Sequence, residues 1–308
     1  MNLSRRSLFA GAGAALTAPA LARISPSSQK RAFRFVHMTD LHLREGNEAP
    51  DGIALAVRKI LALDPRPDFV LVGGDAAEGL MGAEAGLADA RIKKLAELLK
   101  PLEMPVHHAI GNHDVFGWGR VKAATSSEPG YGKAMFAERV AQAPLYRSFD
   151  HGGWHFVVLD SIQFDSSEER GYVTRIDEEQ LGWLKSDLAK AGAKPTVVMT
   201  HAPLMSGYHS LDTTPYGPFP GKMLLVNGKE VNDVLKAHDV KLVLQGHTHI
   251  RECVEYAGRK HITSGAICGN WWGGKRFDVD PEGFSVLDVT TDGNVEWTYV
   301  PTGWEARK

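Results

Sequence analysis

Pro105-Val-His-His-Ala-Ile-Gly-Asn-His-Asp114 passes from apolar to chemically reactive residues in one step. Its first six residues read as a buried strand, and the last four as the loop which that strand feeds. An amide, an imidazole and a carboxylate follow one another at Asn112, His113 and Asp114. Gly111 in front of them lets the backbone turn sharply and approach other groups closely. Four other strand-like segments end the same way. Residues 33–38 end in Thr39-Asp40-Leu41-His42, and 68–72 in Gly73-Gly74-Asp75. Residues 196–199 end in Thr200-His201-Ala202-Pro203, and 240–244 in Gln245-Gly246-His247-Thr248-His249.

Between these strands the apolar spacing predicts helices. One covers 51–63 and is stopped by Asp64-Pro65-Arg66-Pro67; another covers 83–99 and is closed by Pro101. Further helices are expected over 133–141, over 177–191 with Asp177 as N-cap, and over 231–237. Residues 146–149 and 154–159 read as a strand pair joined by the turn 150–153. Residues 204–228 form a long Pro-, Gly- and Tyr-rich loop, a type usually tied to function. From Arg251 to Trp304 short strands alternate with turns at Gly258, Gly273-Gly274 and Asp292-Gly293. No repeat, low-complexity tract or linker interrupts residues 33–304. The pattern predicts a single α/β domain with a β-rich C-terminal part. In such sheets ligands bind beyond the carboxyl ends of the strands, where all five polar clusters stand.

The composition is ordinary for a globular protein, at 43% hydrophobic and 23% charged residues with a formal net charge of −2. Neither the bulk charge nor any Lys/Arg run supplies a basic groove, so no nucleic-acid partner is expected. The two cysteines, Cys253 and Cys268, exclude a disulfide-rich scaffold. A hairpin turning near Gly258 would set Cys253 opposite about Ser264, which argues against a bond to Cys268.

At the N-terminus, Ser4-Arg5-Arg6-Ser7-Leu8-Phe9 precedes a weakly apolar Ala/Gly run ending in the small-x-small pattern Ala20-Leu21-Ala22. Residues 1–22 read as a twin-arginine signal peptide and 23–32 as a polar leader. Gly11, Gly13 and Pro19 suit a structural helix poorly. Cleavage after Ala22 would remove Arg5 and Arg6 and no acid, leaving a net charge of −4. No other apolar run reaches the roughly 18 residues a bilayer span needs. The expected location is periplasmic or secreted, reached folded through the twin-arginine export machinery with metal already loaded.

Asp40, His42, Asp75, Asn112, His201, His247 and His249 are the candidate metal ligands. Asp40 and His42, two apart, would point to one side of an extended segment, as would His247 and His249. Mixed oxygen and imidazole donors suit Mn, Fe or Zn better than Ca or Mg. Seven ligands are too many for one tetrahedral ion and suit two ions if one carboxylate bridges.

These residues, in this order, resemble the calcineurin-like metallophosphoesterase superfamily. Its pattern is Asp-x-His, Gly-Asp, Gly-Asn-His-Asp/Glu, a lone His, then Gly-His-x-His. The counterparts here are Asp40-Leu-His42, Gly74-Asp75, Gly111-Asn-His-Asp114, His201 and Gly246-His-Thr-His249. The resemblance implies two mixed β-sheets packed as a sandwich and flanked by helices, a four-layer αββα fold. It also implies two transition-metal ions, divalent or trivalent. Asp40, His42, Asp75 and His249 would hold one; Asp75, Asn112, His201 and His247 would hold the other, with Asp75 bridging. A metal-bridging hydroxide would be the nucleophile. His113 would act as a proton or hydrogen-bond donor and Asp114 would orient it. The implied activity is hydrolysis of a small phosphate ester, diester favoured over monoester. Purple acid phosphatases, one branch of the superfamily, carry a tyrosine ligand three residues after the bridging Asp, where this chain has Glu78. The short Asp40-x-His42 and the histidine-only last motif look more like the cyclic-nucleotide and glycerophosphodiester phosphodiesterases. Two other readings are a nuclease of the same fold and a non-catalytic metal-binding scaffold for protein interaction.

Among other residues, Tyr208, His209 and Tyr216 in the long loop, and Trp271 and Trp272, are candidates for substrate contact alongside Asn112. Adjacent tryptophans on a loop cannot both be core by strand alternation. His37, His107, His108, His155 and His261 lie within strand-like segments and read as structural; His151 and His238 read as surface residues. Asp160 reads as a strand-end acceptor.

Overall fold

Phe69-Val-Leu-Val72 has no polar residue because both its faces are covered, the mark of an interior parallel strand. The computed structural model describes residues 30–46, 48–119, 124–168, 170–211 and 223–306. The signal-peptide residues, most of the leader and Tyr216 lie outside the described residues. In chain order the elements are β1 (Arg31–Met38), α1 (Ala49–Leu61), β2 (Phe69–Val72), α2 (Ala85–Leu99) and β3 (Val106–His108). Then come α3 (Ala134–Phe136), continued by a π-turn over Ala137–Ala141, and β4 (Arg147–His151), β5 (Trp154–Val158), β6 (Ile162–Phe164), β7 (Tyr172–Thr174) and α4 (Glu178–Ala191). The second half adds β8 (Thr196–Met199), α5 (Gly228–Lys236), β9 (Val240–Gln245), β10 (Arg251–Tyr256), β11 (Arg259–Ser264), β12 (Gly283–Thr290) and β13 (Val295–Pro301).

One sheet runs β13-β12-β1-β2-β3 and the other β10-β11-β9-β8-β5-β4, each mixing parallel and antiparallel pairs. Phe35, Phe69, Leu71 and Leu287 of the first meet Phe156, Val197, Met199 and Leu244 of the second. Phe35 and Phe69 stack with ring centroids 5.2 Å apart, and Phe156 stands edge-on to both. On the outer face of the first sheet Val36, Met38, Val70 and Val72 pack on Ile53, Val57 and Ile60 of α1 and on Leu95 and Leu99 of α2. On the outer face of the second, Val157, Val198 and Val243 pack on Leu184 and Leu188 of α4 and on Val231, Val234 and Leu235 of α5. The four-layer αββα order is therefore the observed one. Among the described residues, no helix is long and apolar enough to cross a membrane.

Asp177 caps α4 as expected, its carboxylate accepting from the Gln180 amide at 2.8 Å. Other details differ. β1 begins inside the expected leader, because Arg31 pairs with Thr290. The β10–β11 hairpin turns through Ala257 and Gly258, both at positive φ, so Cys253 faces Ile262 rather than Ser264. Both cysteines are free. The small β6–β7 ribbon was not expected, since three-residue strands carry too little periodicity to read.

Candidate metal centre

The five strand ends meet at one edge of the sandwich and are stitched together by main chain. Asp40 and His42 donate their amides to Gly74 and Asp75 carbonyls at 3.0 and 2.9 Å, and Gly246 donates to the His201 carbonyl at 3.0 Å. Packing this close needs glycine. A Cβ on Gly111 would lie 2.1 Å from Asp75 Oδ1, and one on Gly246 2.2 Å from Thr39 Oγ1. Asp40, His42, Asp75, His247 and His249 all have φ between 44° and 71°. The expectation of extended segments was thus wrong: each side chain is aimed by a left-handed residue. Such conformations cost of order 1–3 kcal/mol each and cluster at functional sites.

All seven candidate ligands converge. His249 Nε2 lies 3.0 Å from His42 Nε2 and 3.3 Å from Asp40 Oδ1. His201 Nε2 lies 3.3 Å from Asn112 Oδ1 and 3.1 Å from His247 Nδ1. Asp75 Oδ2 joins the two sets, 3.6 Å from His42 Nε2 and 3.3 Å from His201 Nε2. Two groups able to hold a metal ion, Asp40–His42–Asp75 and Asp75–His201–His247, therefore share this carboxylate.

The tautomers explain why these atoms suit a cation. His249 Nδ1 is 2.9 Å from the Gly269 carbonyl and His201 Nδ1 is 2.9 Å from that of Gly73. His42 Nδ1 is held by Glu78 Oε2. Each Nδ1–H thus donates to an oxygen, so each Nε2 turns a lone pair inward towards carboxylate oxygens. Acceptors facing acceptors in a buried site repel unless positive charge lies among them. A cation or a proton can supply that charge. Burial would lower His42, yet hydrogen bonds to Asp40 and Glu78 lift it to about 10. Burial likewise opposes His201, which Asp75 lifts to about 9. Burial would raise Asp75, but the neighbouring His201 and His113 hold it well below the usual carboxylate range. Donor atoms of this kind would release protons on binding a metal.

His113 lines the cavity beside the cluster. Its Nδ1 faces Glu78 Oε2 and the Gly79 amide, each at 3.3 Å, which leaves Nε2 for a substrate. Asp114 does not orient it, contrary to expectation. Residues 112–114 form a single 3-10 turn that points the Asp114 carboxylate backwards, where it accepts from the Ala77 and Gly111 amides at 2.9 Å. Asp114 clasps two loops, and the carboxylate that faces His113 is that of Glu78. The sequence offered no local sign of this, since Glu78 lies 36 residues from His42.

Trp271 also lines the cavity, its ring 4.0 Å from that of His42 and 5.3 Å from that of His113. Trp272 does not. It is 6% exposed, its indole N–H donates to the Leu41 carbonyl at 3.1 Å, and its ring meets Trp304. Tyr208 lines the cavity; His209 is not among the lining residues. Arg170, Tyr172 and Arg276 are lining residues the sequence did not reveal. The first two come from the unforeseen ribbon and its turn. Of the residues read as structural, Asp160 pairs with Lys133 at 2.5 Å, His155 sits between Asp150 and Asp187, and His107 stacks on Phe149, whereas among the described residues neither ring nitrogen of the buried His261 has a hydrogen-bond partner.

A model of the calcineurin-like phosphoesterases matches residues 33–251. A Rhodococcus erythropolis protein named probable cyclic nucleotide phosphodiesterase is 24% identical over 282 residues, 87% of this chain and 83% of that protein. The 3′,5′-cyclic adenosine monophosphate phosphodiesterase CpdA of Escherichia coli is 24% identical over 282 residues, 88% of this chain and 90% of the relative. The crystal structure of a dimetal phosphatase from Danio rerio superposes with a TM-score of 0.60 at 17% identity, covering 89% of this chain and all of that one.

Proposed function

The chain belongs to the calcineurin-like phosphoesterase family and is a metal-dependent phosphoric ester hydrolase, and from that premise we propose a two-metal phosphodiesterase of small substrates, exported by the twin-arginine route. The observation that carries the two-metal reading is the position of Asp75 Oδ2 between His42 Nε2 and His201 Nε2, at 3.6 and 3.3 Å. Asp40, His42, Asp75 and His249 would hold one ion, and Asp75, Asn112, His201 and His247 the other. Bound there, the ions would set positive charge against the phosphoryl oxygens and acidify a water. The residues of this chain do the rest. Thr39 and the His247 amide fix the Asp40 carboxylate through bonds of 2.7 and 3.0 Å. The His113 amide fixes Asp75 Oδ1 at 2.8 Å. His113 Nε2 supplies a proton or hydrogen bond to the leaving oxygen, and Trp271 forms an apolar wall. The diester preference draws on the relatives named as cyclic nucleotide phosphodiesterases.

The test is turnover of 3′,5′-cyclic AMP, bis(p-nitrophenyl) phosphate and p-nitrophenyl phosphate by protein loaded with Mn, Fe or Zn. Diester hydrolysis lost on chelation and restored by metal supports the reading. Inactivity towards all three with two ions bound would favour a non-catalytic scaffold. For location, changing Arg5 and Arg6 together to lysine should leave the protein in the cytoplasmic fraction.

A further inference from the structure

Arg276 carries a positive charge that the cavity wall does not neutralise. It lies in the loop between β11 and β12, in a tight turn where its amide and carbonyl bond to those of Asp280 at 2.8 and 3.0 Å. Its side chain is fixed by neutral groups. Nη1 donates to Asn270 Oδ1 and Nη2 to the Tyr208 hydroxyl, each at 3.2 Å, and the guanidinium carbon lies 4.3 Å from the Phe277 ring centroid. Asp280, bonded to Arg276 through main chain, is engaged elsewhere: its carboxylate accepts from the Arg251 amide at 3.0 Å and faces Arg251 Nε at 3.6 Å. Among the described residues Arg276 forms no ion pair.

Among the described residues, two of its five N–H donors are used, by Asn270 and Tyr208; one further hydrogen on each Nη is unspent and the buried Nε–H has no partner. Arg276 lines the same cavity of about 380 Å³ as Asp75, Asn112 and His113. None of its polar partners, Asn270 and Tyr208, belongs to the metal-ligand cluster. The guanidinium is therefore held at the cavity wall by side chains outside the cluster that would face the reacting phosphoryl group. Among the described lining residues Asp75 is the one carboxylate, and it is taken up by His42 and His201. A planar fork of donors, immobilised and unpaired at the wall of a ligand cavity, matches a phosphate or carboxylate.

We propose that Arg276 anchors a second anionic group of the substrate, set apart from the phosphoryl group that is cleaved. This rests on the phosphoesterase reading above and narrows it. The substrate would be a small phosphodiester bearing an additional phosphate or carboxylate, and a plain 3′,5′-cyclic nucleotide, with one anionic group, would leave this site empty. Tyr208 and Asn270 are positioning residues for the guanidinium.

The experiment is calorimetric and independent of turnover. Mn-loaded protein, dialysed free of excess metal, is titrated with alkanediol bisphosphates of graded length, with ω-carboxyalkyl phosphates, and with the matching alkyl monophosphates. The expected result is one chain length at which a two-anion ligand binds about tenfold tighter or more than its monophosphate, the size of a charge-assisted contact. The better arm identifies the second group as phosphate or carboxylate. In Arg276→Gln that preference should vanish, whereas Arg276→Lys, which keeps the charge but not the fork, should retain part of it and show that the loop still folds. Equal binding of one- and two-anion ligands at every length, or an undiminished preference in Arg276→Gln, overturns the proposal. Failure of the phosphoesterase reading would be separate: no hydrolysis of any diester, whatever the calorimetry gives.

Discussion

Replacing Glu78 by glutamine should weaken metal binding without unfolding the site. Glu78 Oε2 accepts from His42 Nδ1 and lies 3.3 Å from His113 Nδ1, so one carboxylate serves both a proposed metal ligand and the proposed proton donor. Burial would raise its pKa, but the hydrogen bonds to His113 and His42 hold it at about 2, so it is ionised at any working pH. Glutamine keeps the shape and one acceptor oxygen but removes the charge. A hydrogen bond to a charged group contributes about 1.5–3 kcal/mol and a neutral one about 0.5–1.5. The difference between the midpoints, about 1.25 kcal/mol, is about eightfold in the metal dissociation constant. Loss of the acceptor in Glu78→Ala should approach the hundredfold upper end for such outer partners. Competition titration against a chelator of known affinity measures both. At saturating metal, Glu78→Gln should still have a lowered kcat, because His113 has lost its anchor too. Unchanged metal affinity in both variants would refute the claim that Glu78 orients His42.

Further outcomes follow from the same geometry. His113→Ala should slow turnover by roughly 10²–10⁴-fold with metal stoichiometry intact, measured by elemental analysis beside kinetics; loss of metal would contradict its placement outside the ligand set. Trp272→Ala should destabilise the fold by about 3–5 kcal/mol in urea unfolding, as expected for a buried tryptophan, whereas Trp271→Ala should chiefly raise KM. Burial lowers His261 to about 4, so its neutral form stabilises the fold above pH about 6.5, and that contribution is lost as pH falls towards 4. In His261→Leu the urea midpoint should fall less steeply between pH 7 and 4.5, and an unchanged slope would contradict this.

The convergence of the seven candidate side chains was legible because each follows an apolar run, and a strand buried on both faces ends where side chains can turn outward. The alternation of strands and helices gave the α/β class, and the four-layer order came from the family resemblance. What stayed hidden lay in local geometry or distant pairing. Asp114 adjoins His113 in sequence, yet one 3-10 turn sends its carboxylate back to Gly111. The β10–β11 hairpin register moved by two because the turn centre moved by one, onto Ala257 and Gly258. The two tryptophans share a loop and positive φ, and only the presence of Gly52 and Trp304 beside Trp272 decides which is core. Arg276 gave no signal, since an arginine in an exposed loop resembles any other until its partners are known.

The central claim is that one carboxylate serves two cations, and anomalous diffraction from crystals of the Mn- or Zn-loaded protein tests it most directly. Two peaks roughly 3.5–4 Å apart, one on either side of Asp75, are the expected result for a site of this kind. A single peak, or peaks with no contact to Asp75, would contradict the account.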